Sequence, residues 1–92
     1  MSYRVERTLR FDRQAAHFFR KHRELQPTFI RLVEDLQENP FEPRLRLHQL
    51  GGELTGTYGV SLTYKYRVIL TLVVTHELVT LIDIGSHDEV YR

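Results

Sequence analysis

Residues 57–84 read TYGVSLTYKYRVILTLVVTHELVTLIDI and contain most of the predicted sheet. Three runs, TYGVSL, YRVILTLVV and LVTLIDI, are rich in the β-branched and aromatic residues that are typical of strands. The middle run is apolar on both faces. The short breaks TYK and THE favour hairpins over crossover connections. The sequence therefore predicts a meander of three antiparallel strands.

The first 43 residues predict one more strand and two helices. Apolar residues nearly alternate in YRVERTL, as they do in a strand. Asp12 is suited to cap a helix, and Pro27 is tolerated in the first turn of a second helix, which ENPFEP ends. Apolar residues recur at helical spacing in both: Ala15, Phe18, Phe19 and His22 in the first, and Leu25, Phe29, Leu32, Val33 and Leu36 in the second.

The predicted order of elements is β-α-α-β-β-β. It indicates an α+β fold in which a helical hairpin packs on one face of a mainly antiparallel four-stranded sheet. A chain of 92 residues is expected to form a single domain over residues 1–92.

The composition is that of an ordinary soluble globular protein, with 41% hydrophobic and 27% charged residues. No apolar run approaches the roughly 18 residues of a membrane span, and the N-terminal residues lack the apolar segment of a secretory signal. The chain has no cysteine, so no disulfide supports its core. We therefore expect a cytoplasmic protein that makes no contact with a membrane.

The charges are unevenly distributed along the chain, although the formal net charge is only +1. Residues 1–25 carry seven basic and three acidic groups, and residues 44–67 carry four basic groups and one acidic group. This pattern fits either ordinary solvated faces or a surface that binds nucleic acid. Composition alone leaves the two alternatives open.

Hairpin geometry places Arg67 beside the C-terminal segment of the chain. A turn near Thr75 to His76 would pair Arg67 with Ile84 or Gly85, and His87 would then lie close by. The preceding turn would place Ser61 or Leu62 opposite Arg67 in the same way. Two readings of Arg67 remain: a functional cation, or a strand-end arginine that pairs with Asp83 or Asp88.

The predicted cluster of Arg67, His87 and Tyr91, joined by Arg46 and His48 from the preceding loop, suits cleavage of a phosphodiester. Cleaving RNA through its own 2′-hydroxyl requires a base, a cation for the crowded phosphorane and an acid for the leaving 5′-oxygen. Imidazole can act as acid or base near neutral pH, guanidinium binds phosphate oxygens, and tyrosine can stack on a base. This chemistry needs no metal, so we expect no metal and no other cofactor.

Three short motifs follow one another in this β-α-α-β-β-β chain. LHQLGGELTG is similar to an H-x-L-x-G loop, YRVIL to an arginine-bearing third strand, and IGSHDEVY to a terminal G-[ST]-H-x-x-[LV]-[FY]. In order and spacing they resemble the RelE/ParE superfamily of toxins from bacterial type II toxin-antitoxin systems. The resemblance is strongest to its RelE-like mRNA interferase branch, which includes the YafQ-type toxins, and it covers essentially the whole chain.

The resemblance implies the RelE-like microbial RNase fold and a definite activity. The expected protein is an endoribonuclease (an mRNA interferase) that enters the ribosomal A site, cuts the mRNA and so inhibits translation. Its expected partners are the ribosome and mRNA, and a cognate antitoxin protein that keeps it inactive. The resemblance also implies that operator DNA is bound only by the toxin-antitoxin complex.

Carried over by position, the resemblance assigns roles to individual residues. His48 matches a loop histidine implicated in catalysis, and Arg67 matches the strand arginine that holds the scissile phosphate. His87 matches the proposed general acid, and Tyr91 matches the terminal aromatic that stacks or assists proton transfer. The general base stays open between these groups. The cations expected to bind RNA are Arg44, Arg46 and Lys65.

Two other functions remain as alternatives to the mRNA endonuclease. One is a ParE-like inhibitor of DNA gyrase that cuts nothing, and the other is a non-catalytic family member that only binds its antitoxin. Because ParE-like toxins generally lack the arginine, histidine and aromatic set of the interferases, Arg67, His87 and Tyr91 favour the nuclease. His17 and His22 are five positions apart, which does not suit a metal site on one helix face.

Overall fold

Five strands and three helices occur in residues 2–91, which are the residues that the computed structural model describes. The sheet order is β1-β5-β4-β3-β2; β1 runs parallel to β5, and the other neighbours are antiparallel. The elements are β1 (Arg4–Arg7), α1 (Leu9–Lys21), α2 (Gln26–Glu38), β2 (His48–Gln49), β3 (Tyr58–Ser61), β4 (Tyr66–Val73), β5 (Leu78–Ser86) and α3 (His87–Tyr91).

The predicted meander is confirmed, with β4 between β3 and β5. Arg67 on β4 lies opposite Ser61 on β3 and opposite Gly85 on β5, which is the register expected from the two short turns. One end of the sheet therefore brings together β3, the start of β4 and the end of β5, where α3 begins. The turn at Val74–His76 lies at the other end of the β4–β5 hairpin.

The helices α1 and α2 cover one face of the sheet. Buried phenylalanine and leucine side chains of both helices form a single core with alternate residues of the strands. Burying each such side chain contributes about 1.5–3 kcal/mol relative to exposure, so this layer holds the sheet in place. The core contains Phe11, Phe18, Leu32 and Leu36 from the helices and Val60, Val68, Leu70, Val79, Leu81 and Ile84 from the strands.

A β-bulge in β5 changes which residues face the helices. Leu70 pairs with Leu81 and Ile69 pairs with Asp83, so Ile82 is an extra residue without a partner on β4. The extra residue shifts the alternation of side chains by one position. As a result Ile84 reaches the helix-facing core, and Gly85 lies on the opposite face of the sheet.

The predicted α+β architecture is confirmed, with differences in detail. The sheet has a fifth strand, the two-residue β2, and β5 is followed by the short helix α3; neither element was predicted. The cap of α1 is Thr8, whose hydroxyl accepts a hydrogen bond from the Phe11 amide at 3.0 Å, and not Asp12 as predicted. Within residues 2–91, the helices are too short or too polar to cross a membrane.

Candidate active site

An open groove of about 550 Å³ lies at the sheet end where β3, β4 and α3 meet. Arg67 alternates with the core residue Val68, so it faces away from α1 and α2, and the groove lies on that free face. None of the described side chains that line it is a carboxylate. It therefore suits an anionic ligand. Its lining residues are Arg46, Leu47, His48, Ser61, Arg67, His87 and Tyr91.

Arg67 is held from one side by the backbone of the β3–β4 turn. Its Nη1 donates hydrogen bonds to the carbonyl oxygens of Thr63 and Tyr64, both at 3.1 Å, and to that of Tyr66 at 3.3 Å. Within residues 2–91 its Nε and Nη2 make no hydrogen bond or ion pair. The Nε–Nη2 edge is the fork that binds two oxygens of one phosphate, so the turn presents Arg67 ready for an anion.

The two carboxylates predicted as possible partners of Arg67, Asp83 and Asp88, contact other residues. Asp83, which is only 6% exposed, lies 3.0 Å from Nη2 of Arg10 and accepts a second hydrogen bond from Gln14 at 3.3 Å. Asp88 lies beside His87, with 3.8 Å between Nδ1 and Oδ1. No carboxylate within residues 2–91 pairs with Arg67. The interpretation of Arg67 as a strand-end arginine paired with a carboxylate is therefore not supported among the described residues.

The hydrogen bonds of His48 define its tautomer. Its Nδ1 lies 2.9 Å from the carbonyl oxygen of Arg46, and because a carbonyl can only accept, Nδ1 carries the proton. The left-handed backbone of Arg46, with φ 57° and ψ 43°, precedes β2 and aims this carbonyl at the ring. In the neutral ring Nε2 therefore carries the lone pair, and it lies 3.4 Å from the hydroxyl oxygen of Tyr91. A neutral His48 can accept a proton at this nitrogen.

Tyr91 connects the two histidines of the groove. Its hydroxyl oxygen lies 3.4 Å from Nε2 of His48, and its ring meets the His87 ring edge-on, with centroids 4.3 Å apart and planes at 78°. Burial raises the pKa of the Tyr91 hydroxyl above its ordinary value of 10.0, and the nearby positive charge of Arg67 offsets part of that rise. Tyr91 therefore keeps its proton at neutral pH and acts as a hydrogen-bond donor.

His87 is the first residue of α3, and a capping box fixes the start of that helix. The Ser86 amide donates to the Glu89 carboxylate at 2.7 Å, and the Glu89 amide donates to the Ser86 hydroxyl at 3.3 Å. The sequence SHDE at residues 86–89 has the pattern of this motif, but the capping box was not predicted. The cap places His87 at the mouth of the groove, with 66% of its side chain exposed to solvent.

Two glycines, Gly59 and Gly85, make room for these side chains. A Cβ on Gly59 would lie 2.7 Å from the Tyr91 hydroxyl and 3.2 Å from Cε1 of His48. A Cβ on Gly85 would lie 2.9 Å from a carboxylate oxygen of Glu89 and 3.3 Å from Val90. Gly59 thus lets the Tyr91–His48 pair rest on β3, and Gly85 lets α3 fold back over β5.

The structure brings five of the seven predicted site residues into the groove and leaves two outside its lining. Arg44 forms an ion pair of 2.9 Å with Asp35 of α2. The ammonium of Lys65 lies 5.8 Å from the centre of the Tyr66 ring, on the β3–β4 turn beside the groove. The five groove residues are Arg46, His48, Arg67, His87 and Tyr91.

Two larger clefts lie away from this groove and have a different character. They measure about 740 and 770 Å³, flank α2, and share Arg7, Asp12, Phe29 and Ile30 in their walls. Apolar and charged side chains line both clefts, and no histidine does so among the described residues. These clefts suit a protein partner better than a reaction. Within residues 2–91, no three His, Cys, Asp or Glu side chains are grouped as metal ligands would be.

Comparison with known proteins places the fold. No protein-family model matches the chain, and neither does any curated protein sequence. Solved structures do match: YafQ from Escherichia coli superposes with a TM-score of 0.80 at 15% identity, over 98% of this chain and 99% of YafQ. The chain has the YafQ-like toxin fold.

Other structures with this fold contain a toxin bound to its antitoxin. In the E. coli DinJ-YafQ toxin-antitoxin complex, the match covers 100% of both chains with a TM-score of 0.78 and 15% identity. In the YoeB-YefM complex from Staphylococcus aureus, it covers 95% of this chain and 99% of the other, with a TM-score of 0.71 and 14% identity. The predicted resemblance to RelE- and YafQ-like toxins is confirmed at the level of the fold.

Proposed function

We propose that the chain is the toxin of a type II toxin-antitoxin pair and acts as a metal-independent, ribosome-dependent mRNA endonuclease. One observation carries the proposal: the imidazole of His48, the guanidinium of Arg67 and the imidazole of His87 line one groove. A base, a phosphate-binding cation and an acid are the three groups that cleavage through a 2′-hydroxyl requires. The YafQ-like fold supports the same activity.

In the proposed reaction, Nε2 of His48 accepts the proton of the RNA 2′-hydroxyl. The 2′-oxygen attacks the adjacent phosphorus, and the bond between phosphorus and the 5′-oxygen breaks. Arg67 binds the non-bridging oxygens and stabilises the charge that develops on them. His87 gives its proton to the departing 5′-oxygen, so the products are a 2′,3′-cyclic phosphate and a free 5′-hydroxyl.

Tyr91 and the remaining cations would position the RNA and the two imidazoles. The Tyr91 hydroxyl lies 3.4 Å from Nε2 of His48 and would have to move aside when Nε2 accepts the 2′-hydroxyl proton, while the Tyr91 ring supports the His87 ring. Arg46 lines the groove and is available to a neighbouring phosphate. Lys65 would add an electrostatic contact from the β3–β4 turn, whereas Arg44 would first have to leave Asp35.

We propose the ribosome as the setting of the reaction because the groove is open and its cations are few. Holding and bending a flexible strand requires contacts on several phosphates, and an mRNA fixed in the ribosomal A site already has its orientation. The proposed regulator is an acidic antitoxin. The two clefts beside α2 offer it apolar side chains such as Phe29 and Ile30, and Arg7, Arg20 and Arg23 line one of them.

The test compares cleavage of one mRNA with and without programmed ribosomes. We expect cleavage only with ribosomes, at a rate that EDTA does not change at a level that leaves the ribosomes intact. His87→Gln and Arg67→Ala should each lower the rate by roughly 10²–10⁴-fold, because each removes a group used in the transition state. His76→Gln is the control, since that residue lies at the far end of the β4–β5 hairpin.

Two results would contradict this function. Equal cleavage of free and ribosome-bound mRNA would exclude the dependence on ribosomes. Growth arrest that persists undiminished in the His87→Gln, Arg67→Ala double variant would favour a gyrase inhibitor, which transfers no proton. A gyrase supercoiling assay with the purified double variant would then identify that alternative directly.

A further inference from the structure

The tip of the β3–β4 turn carries an aromatic ring that is almost fully exposed to water. Tyr64 is 95% exposed, the highest value among the large hydrophobic side chains that protrude from the surface. Within residues 2–91 its hydroxyl makes no hydrogen bond and its ring contacts no other aromatic ring. No contact among the described residues therefore explains an aromatic side chain at this position.

The backbone beneath Tyr64 is nevertheless firmly held. The Thr63 hydroxyl accepts hydrogen bonds from the amides of Lys65 and Tyr66, at 3.2 and 3.3 Å. The Tyr66 carbonyl accepts from the amides of Leu62 and Thr63, at 2.9 and 3.3 Å. A turn with this many internal hydrogen bonds holds the backbone of its tip residue in a defined position, so binding a ligand there does not require the loop to become ordered first.

Arg67 connects this turn to the groove. Its Nη1 donates to the Tyr64 carbonyl and to the Thr63 carbonyl, both at 3.1 Å, while the rest of the guanidinium lines the groove. The exposed ring therefore belongs to the residue whose backbone the phosphate-binding arginine touches. Lys65 stands next to it, and the segment TYKYR contains two cations and no acidic residue.

We propose that Tyr64 is a stacking platform for an unpaired nucleobase next to the phosphate held by Arg67. This inference rests on the proposed ribonuclease function and adds a base-binding subsite to it. An aromatic ring beside cations is the combination with which proteins hold single-stranded nucleic acid, because every base has a face that can stack. The base belongs either to the mRNA beside the cut or to the ribosomal RNA around it.

The experiment measures kcat and KM for cleavage of a short mRNA on programmed ribosomes. Tyr64→Ala should raise KM about 5- to 100-fold, the range expected for loss of one stacked base, with kcat nearly unchanged. Tyr64→Phe and Tyr64→Trp should keep the wild-type KM, because both preserve the ring. Phe41→Ala is the matched control, since Phe41 is 51% exposed and does not line the groove.

The source of the base is separated with mRNAs that carry one abasic nucleotide beside the cut. If the Tyr64→Ala defect disappears on one of these mRNAs, the stacked base belongs to the message; if it persists on all of them, the base is ribosomal. Tyr64→Phe behaving like Tyr64→Ala would overturn the stacking role. So would a Tyr64→Ala variant with normal KM that has lost affinity for the antitoxin.

Failure of this inference can be distinguished from failure of the proposed function. If the wild-type protein cuts mRNA and Arg67→Ala does not, a wild-type KM in Tyr64→Ala overturns the inference alone. If the wild-type protein cuts no mRNA on ribosomes, the ribonuclease function is overturned together with the subsite.

Discussion

Gly59 has no side chain, and this leaves room for the side chains of Tyr91 and His48. It lies opposite His48 on β2, and the Tyr91 hydroxyl would be only 2.7 Å from a Cβ at this position. We therefore predict that Gly59→Ala displaces Tyr91 and His48 and lowers the cleavage rate by roughly 10–100-fold, since a misplacement of about 1 Å can cost that much. Initial rates on programmed ribosomes measure the effect.

Two comparisons separate this steric effect from general damage to the protein. Gly51→Ala is the matched control, because a Cβ on Gly51 meets no atom within 4 Å and we expect its rate to be unchanged. In a Tyr91→Phe background the clash with the hydroxyl is absent, so adding Gly59→Ala should cost less than it does in the wild type. Strictly additive losses would argue against the proposed contact.

Residue types and motifs predict that His48, Arg67, His87 and Tyr91 lie together, and all four line the groove. The residues that support them were less predictable. The role of Gly59 depends on a side chain from another element, so nothing next to it in the sequence could indicate it. The tautomer of His48 likewise depends on the backbone conformation at Arg46.

The short helix α3 is the element that brings His87 and Tyr91 to the groove. A helix of five residues is not stable alone, so α3 depends on its capping box and on the burial of Val90. We predict that Ser86→Ala weakens the start of α3 by about 0.5–2 kcal/mol and lowers cleavage in proportion to the helix lost. Amide hydrogen exchange at Glu89 reports the fraying of α3.

The substitution Ser86→Thr is the control for this prediction. Ser86→Thr keeps an oxygen that can accept from the Glu89 amide, so its hydrogen exchange and activity should stay close to those of the wild type. A Ser86→Ala variant whose α3 exchanges rapidly but which still cuts mRNA at the full rate would show that the role proposed for His87 does not depend on this helix.

Elements were predictable where local geometry is sufficient to define them. The register of Arg67 against Ser61 and Gly85 followed from two short turns, which allow few alternative pairings. The two-residue strand β2 has no periodicity to detect, and the bulge at Ile82 appears only when β5 is paired with β4. The meander was therefore predictable from the sequence, whereas β2 and α3, which complete the groove, were not.

The groove and the two clefts beside α2 occupy different faces of the molecule. The groove lies on the side of the sheet that α1 and α2 leave free, whereas the clefts border α2 and include Ile30, which is 58% exposed. A partner anchored in the clefts must therefore extend around the sheet to obstruct the groove. A long antitoxin segment that folds on binding has the reach to do this.

The last prediction compares two substitutions that each replace an exposed aliphatic residue with aspartate, one in the clefts and one outside them. Ile30→Asp places a charge in the clefts and should weaken antitoxin binding by roughly ten-fold or more, while ribosome-dependent cleavage stays normal because Ile30 lies outside the groove. Val74→Asp, at a site that is 54% exposed and far along the hairpin, should leave both unchanged. Binding is measured by the thermal stabilisation that antitoxin confers, which amounts to about 2.7 kcal/mol at 100 times Kd. If Ile30→Asp binds antitoxin as tightly as the wild type does, the partner reaches the groove by a route that avoids the clefts.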